Sequence, residues 1–102
     1  MIAQTILQQI GGHKFTVMTG SKDFIDLGNG LLMSLSRNKT SANRLEIIYD
    51  EGLDLYNMRF YRKIFSKKTF ISKSKDIAKY EGVYCDMLEE IFTSVTGLYT
   101  RL

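Results

Sequence analysis

The chain has 102 residues, which fits a single small domain over 1–102. Its 44% hydrophobic and 25% charged residues are typical of a globular protein and not of a disordered one. Its apolar runs are far shorter than the roughly 20 residues that span a bilayer, and the first residues lack the features of a signal peptide, so we expect no membrane partner. The single cysteine, Cys85, excludes an internal disulfide and favours a cytoplasmic location.

The net charge of +3 is distributed unevenly along the chain. Residues 55–75 contain seven lysines and arginines and no acid, whereas residues 76–102 contain five acids and two bases. Half of the positive charge therefore lies in about a fifth of the sequence. Clustering of this kind indicates a basic patch and points to an anionic partner.

Hydrophobic periodicity predicts the first elements. Residues 2–10 place their apolar side chains on one stripe of a helix with an uncharged polar face, and the glycines that follow are expected to end it. From Lys14 to Asp26 the alternation is that of a strand, with a bulge or bend at 19–23. Asn29-Gly30 predicts a hairpin to the next strand.

Further strands follow, and the clearest helix closes the chain near 83–96, with Gly97 placed to end it. Residues 76–82 fit either another strand or an early helical turn. The predicted fold is α+β, an antiparallel meander sheet of four to five strands flanked by an N-terminal and a C-terminal helix. The predicted core consists of Ile6, Phe15, Val17, Leu31, Met33, Leu45, Ile47, Tyr56, Met58, Phe60, Leu88, Ile91 and Phe92.

The stretch LYNMRFYRKIFSKK, residues 55–68, alternates aromatic and basic side chains. As a strand it would turn Tyr56, Met58, Phe60 and Ile64 toward the core and leave an exposed tyrosine between cations on its other face. Cations neutralise phosphates and an exposed ring stacks on bases, so this face suits single-stranded or deformed nucleic acid. The predicted nucleic-acid-binding residues are Arg59, Tyr61, Lys63, Lys67 and Lys68. The alternative is a solvated strand whose lysines prevent edge-to-edge aggregation.

Enzymatic chemistry is not indicated. The segment TGSK lacks the spacing of a phosphate-binding loop, and His13 and Cys85 have no partner at a spacing diagnostic of catalysis or metal binding. Glu89 and Glu90 fall on the wet face of the last helix. We therefore expect a non-enzymatic protein with no cofactor and no metal.

Three separated blocks carry a resemblance to a family of small proteins of bacteriophages, prophages and mobile elements. The blocks are GGHKFTVMTG near the start, DLYNMRF in the middle and FTSVTGLYTRL at the end, and together they span nearly the whole chain. The resemblance implies a setting, the cytoplasm of a bacterial host, and carries no activity or site residue with it.

That setting suggests two kinds of partner, nucleic acid or a host protein. In the second case the chain would inhibit a host defence factor or nuclease, with Tyr99 as a partner-binding anchor because tyrosine is favoured at interfaces. An acidic patch formed by Glu81, Asp86, Glu89 and Glu90 would favour that alternative. The thin core and open sheet edges also predict a homodimer.

Overall fold

Residues 2–98 are described by a computed structural model. The elements in chain order are α1 (Ile2–Gln9), α2 (Gly12–Thr19), β1 (Lys22–Asp26), β2 (Gly30–Ser34), β3 (Arg44–Asp50), β4 (Leu55–Ser66), β5 (Ile71–Val83), a 3-10 turn (Cys85–Met87) and α3 (Leu88–Thr96). The strands form one antiparallel sheet in the order β1-β2-β3-β4-β5. The predicted α+β meander with an N-terminal and a C-terminal helix is confirmed. Over residues 2–98 no helix has the length and apolar character needed to cross a membrane.

The core lies between one face of the sheet and the helices. Phe92 of α3 is its centre: its ring is 4.8 Å from that of Phe15 on α2 and 6.3 Å from that of Phe60 on β4, and all three are fully buried. The predicted core residues are buried except for Ile91, which is half-buried and packs against the core, and Val17, which is 66% exposed. The prediction for Val17 is wrong because residues 12–19 form a helix.

The strand predicted from Lys14 is therefore wrong over its first half. Gly11 (φ 130°) and Gly12 (φ 59°) end α1 and start α2, since backbone angles of this kind favour glycine. Thr19 donates its hydroxyl to the carbonyl of Phe15, four residues earlier, at 2.7 Å. Such back-bonding lets a β-branched residue sit in a helix. The bulge predicted at 19–23 is present, with a register shift between Lys22 and Ile25.

The C-terminal helix is shorter than predicted, because residues 76–82 and Val83 belong to β5 and a 3-10 turn precedes α3. Tyr84 and Met87, which fall within the predicted helix but precede α3, are 62% and 39% exposed. Gly97 ends α3 with a left-handed conformation (φ 75°), and its N–H donates to the carbonyl of Thr93 at 2.8 Å. This helix end is the one that the sequence predicts.

The hairpin predicted at Asn29-Gly30 joins β1 to β2. Gly30 is buried against β3, where a Cβ atom would stand 2.3 Å from the carbonyl oxygen of Ile47 and 2.7 Å from Cδ1 of Ile48. The nearer obstacle is a backbone atom held in the sheet. The close approach of β2 and β3 therefore requires glycine at this position.

Replacement of Gly30 by alanine should lower the free energy of unfolding by about 1–3 kcal/mol, because the added methyl group overlaps the β3 backbone. Chemical denaturation measures the change. Gly52→Ala is the matched control, since a Cβ there meets nothing closer than an oxygen of Asp50 at 3.5 Å and should change stability by less than about 0.5 kcal/mol. Equal stability of the two variants would contradict the close approach.

Candidate nucleic-acid interface

The last two strands extend beyond the rest of the sheet. β3 begins at Arg44, which is paired with Tyr61, and past that point β4 pairs with β5 alone, from Arg62↔Lys75 to Ser66↔Ile71. A turn at 67–70 closes this ribbon. We call residues 62–75 the arm. The four residue steps from Arg62 to Ser66 along β4 give the arm a length of roughly 13 Å, at about 3.3 Å per residue.

The base of the arm is fixed by one side chain, Asn43, which lies just before β3. Its backbone N–H donates to the carbonyl of Tyr61 at 3.0 Å. Its side-chain Nδ2 donates to the carbonyl of Lys63 at 2.9 Å, and its Oδ1 accepts from the N–H of Lys63 at 2.7 Å. Arg62 adds a hydrogen bond to the carbonyl of Ser41 at 3.1 Å. The side chain of Asn43 thus extends the hydrogen bonding between β3 and β4 as far as Lys63, where it ends.

The arm has a single sign of charge. It contains six cations and no acid: Arg62, Lys63, Lys67, Lys68, Lys73 and Lys75. The remaining eight lysines and arginines of the chain are outnumbered by its eleven acids, so the rest of the sequence has a net charge of −3. Every arm residue except Ser66 is exposed. The positive charge is therefore concentrated on a projection from an acidic body.

Cross-strand pairing distributes the cations over both faces of the arm. One face has the pairs Arg62↔Lys75 and Ile64↔Lys73, because directly opposite residues share a face. The other face has Lys63↔Ser74 and Phe65↔Ser72. The prediction that Ile64 faces the core is wrong, since no helix covers β4 at this point and its side chain is 48% exposed.

The end of the arm is tightly turned and presents aromatic side chains beside its lysines. Phe70 donates its N–H to the carbonyl of Ser66 at 2.8 Å and has a φ of 55°, a left-handed conformation that is strained for a bulky residue. Its ring is 80% exposed and meets the ring of Phe65 edge to face, with centroids 6.5 Å apart. Two aromatic rings are thus presented at the point farthest from the core.

Of the five sequence-predicted site residues, the structure brings three together. Arg59, Tyr61 and Lys63 line an open pocket of about 240 Å³ on one face, with Ser72 and Ser74 of β5 on the same face and Lys73 between these two serines in the chain. Lys67 and Lys68 lie in the turn that ends the arm. Tyr99 lies outside the described residues. Lys73 and Lys75 belong to the acid-free run of the sequence but are not among the predicted site residues. They reach the arm through the pairing of β5 with β4, which strand periodicity alone does not reveal.

Arg59 is occupied within the sheet. Its Nε donates to Oδ1 of Asp76 at 2.6 Å, and this hydrogen bond raises the pKa of its guanidinium above the ordinary value. Asp76 follows the acid-free run immediately in sequence, and it lies directly opposite Tyr61 on β5. The charge of Arg59 is therefore balanced before any ligand binds.

Tyr61 is buried, and the prediction of an exposed stacking ring at this position is wrong. Its side chain is 8% exposed because it lies between Arg44 on β3 and Asp76 on β5, and the guanidinium carbon of Arg59 covers its ring at 4.2 Å from the centroid. Burial raises the pKa of the Tyr61 hydroxyl, and the nearby charge of Glu46 raises it further. The exposed rings that sequence alternation failed to single out are Phe65 and Phe70.

The other polar candidates do not assemble into a site. Cys85 is a free, exposed thiol, and His13 is exposed on α2. Within residues 2–98 no group of three or more His, Cys, Asp or Glu side chains is arranged to hold a metal ion.

Comparison with known proteins adds no assignment, since no family model, no curated protein and no solved structure matches the chain.

Arg59→Ala should lower the free energy of unfolding by about 1 kcal/mol, because it removes both a cation–π contact and a surface ion pair. A double-mutant cycle with Asp76→Ala, followed by chemical denaturation, should give a coupling of about 0.2–1 kcal/mol for the pair. Arg37→Ala, at an exposed arginine of the loop before β3, is the control and should leave stability unchanged. A coupling of zero would show that Arg59 is free for a ligand.

Proposed function

We propose that the protein binds nucleic acid through its arm. The observation that supports this most directly is the projection of six cations, without an acid, beyond the body of the protein on a two-stranded ribbon. A nucleic-acid backbone presents a closely spaced row of phosphates, and each phosphate that a lysine or arginine neutralises releases counterions. The exposed rings of Phe65 and Phe70 add apolar surface suited to bases.

This proposal keeps Lys63, Lys67 and Lys68 as phosphate contacts and adds Arg62, Lys73 and Lys75. Arg59 and Tyr61 take a supporting role, since one is paired with Asp76 and the other is covered. Because the arm contributes nothing to the core, its lysines can follow a ligand without disturbing the packing of the domain.

For the setting, we propose a protein of a bacteriophage or other mobile element acting in the cytoplasm of its bacterial host, on the basis of the three sequence blocks. The second candidate function is inhibition of a host defence factor or nuclease. The net charge of −3 outside the arm supports it, together with the exposure of Glu81, Asp86 and Glu90.

We also propose that two copies associate through the sheet face that the helices leave uncovered. Ile25 of β1 pairs with Leu32 of β2 on this face and is 51% exposed, and Ile48 lies beside them on β3.

Light scattering at high micromolar concentration should report a dimer, and Ile25→Lys should shift it toward monomer, whereas Leu53→Lys on an exposed turn should not. A monomeric wild-type protein at that concentration would end the proposal.

Lys67→Ala combined with Lys68→Ala should weaken binding to labelled oligonucleotides in fluorescence anisotropy. The log–log salt slope should also become shallower, by about 1.4 for a single strand and about 1.8 for a duplex, if both lysines contact phosphates. Lys14→Ala combined with Lys22→Ala removes the same charge from α2 and β1, across the sheet from the arm, and is the matched control.

Equal effects of the two double variants would show that binding follows net charge and does not use the arm. If neither single-stranded nor duplex oligonucleotides bind at tens of micromolar protein in low salt, nucleic-acid binding is excluded. A protein partner retained from a nuclease-treated host lysate would then support the second candidate function.

A further inference from the structure

The end of the arm has a residue that the fold does not require. Phe70 occupies a left-handed position where glycine or asparagine would be unstrained, and 80% of its side chain is in contact with solvent. Strained conformations and exposed aromatic rings are both costly, and their coincidence at one residue points to a role in binding. The ring does not move freely, because it packs against Phe65 and its N–H is bonded to Ser66.

The cations around this tip suit two phosphate backbones better than one. Arg62, Lys73 and Lys75 lie on one face of the ribbon and Lys63 lies on the other, while Lys67 and Lys68 lie in the turn. A single strand laid along one face would leave the cations of the opposite face without phosphates. A ribbon that enters a groove of a duplex has a phosphate backbone on each side.

Duplex DNA fits this arrangement better than duplex RNA. The major groove of B-form DNA is about 12 Å wide and admits a two-stranded ribbon, whereas the major groove of A-form RNA is deep and narrow. Apolar side chains that proteins insert between base steps from the minor groove unstack them and bend the duplex by about 20–90°, and a ring carried into the major groove at the tip of a ribbon is expected to act on the stack in the same way. Phe70 is placed at the leading end of the arm, with Phe65 behind it.

We infer that the arm is a DNA-bending element, with Phe70 as the apolar wedge and the arm cations as clamps on the two phosphate backbones. This inference rests on the proposed function, because it assigns the nucleic acid and the action to the same surface. It also gives the rigid, strained tip a purpose: a ring held in place before binding loses little conformational entropy when it is inserted.

The test is the bend of a duplex of about 30 base pairs, labelled at its two ends and measured by energy transfer at saturating protein. The wild-type protein should shorten the end-to-end distance. Phe70→Gly suits the backbone at that position, so the variant should fold, bind the duplex within about threefold of wild type and leave it straight. Leu53→Ala removes a side chain that is 68% exposed on the β3–β4 turn, at the opposite end of β4, and should bend DNA as wild type does.

A straight duplex in the wild-type complex, or an equal bend with Phe70→Gly, would overturn the wedge. So would complete loss of duplex binding by Phe70→Gly, because the cations alone should hold the DNA. Binding to single strands without binding to duplexes would also overturn the inference but leave the proposed function intact. Binding to neither single strands nor duplexes would exclude both the wedge and the proposed function. In that case a dimer that Phe70→Gly disrupts would show that a second copy of the chain covers the tip.

Discussion

The contact of Phe92 with Phe15 and Phe60 is the constraint on which the rest of the structure depends. These three rings join α3, α2 and β4, which are far apart in sequence, in one fully buried cluster. Aromatic pairs of this geometry contribute about 0.5–1.5 kcal/mol beyond the area they bury. Because Phe60 precedes Arg62 by two residues on the same strand, the cluster holds β4 immediately before the arm begins. The arm therefore projects from the best-anchored strand of the sheet.

Under the proposed function, the body of the protein supplies stability and the arm supplies recognition. Asn43 marks the division, since its side chain makes the last hydrogen bonds to β4 at Lys63 and leaves Ile64 and the residues beyond it to β5 alone. Lysines on both strands of the arm also repel the edge of another arm, which protects an otherwise open ribbon from aggregation. The same cations thus discourage association between arms and favour an anionic partner.

Local patterns predicted the parts of this fold that depend on neighbours in sequence. Gly97 could be identified as a helix end and Phe60 as a core residue, because each follows from helical or strand periodicity. The helix at Gly12–Thr19 could not, since its threonines and Val17 favour strands, and tertiary packing of Phe15 on Phe92 together with the hydroxyl back-bonding of Thr19 overrides that preference.

The candidate site was predictable in its charge but not in its geometry. The acid-free run identified the segment that forms the exposed cationic arm, and alternation placed Arg59, Tyr61 and Lys63 on one face of β4. Whether a residue on that face is accessible depends on the neighbouring strands, and Asp76 and the guanidinium of Arg59 decide it for Tyr61. The sequence does not give the register of β3 on β4, in which the first residue of β3, Arg44, pairs with Tyr61. The length of the arm therefore follows only from the pairing of all the strands.

The separation of the arm from the core has a consequence for how this protein can evolve. Substitutions of exposed residues away from caps and special backbone positions usually change stability by less than about 0.5 kcal/mol. Most arm side chains meet that description, whereas most changes at Phe15, Phe60 or Phe92 would create a cavity in the core. The arm can therefore change residue by residue without crossing the stability threshold of the domain. Under the proposed function, the fold can persist while the binding preference of the arm drifts.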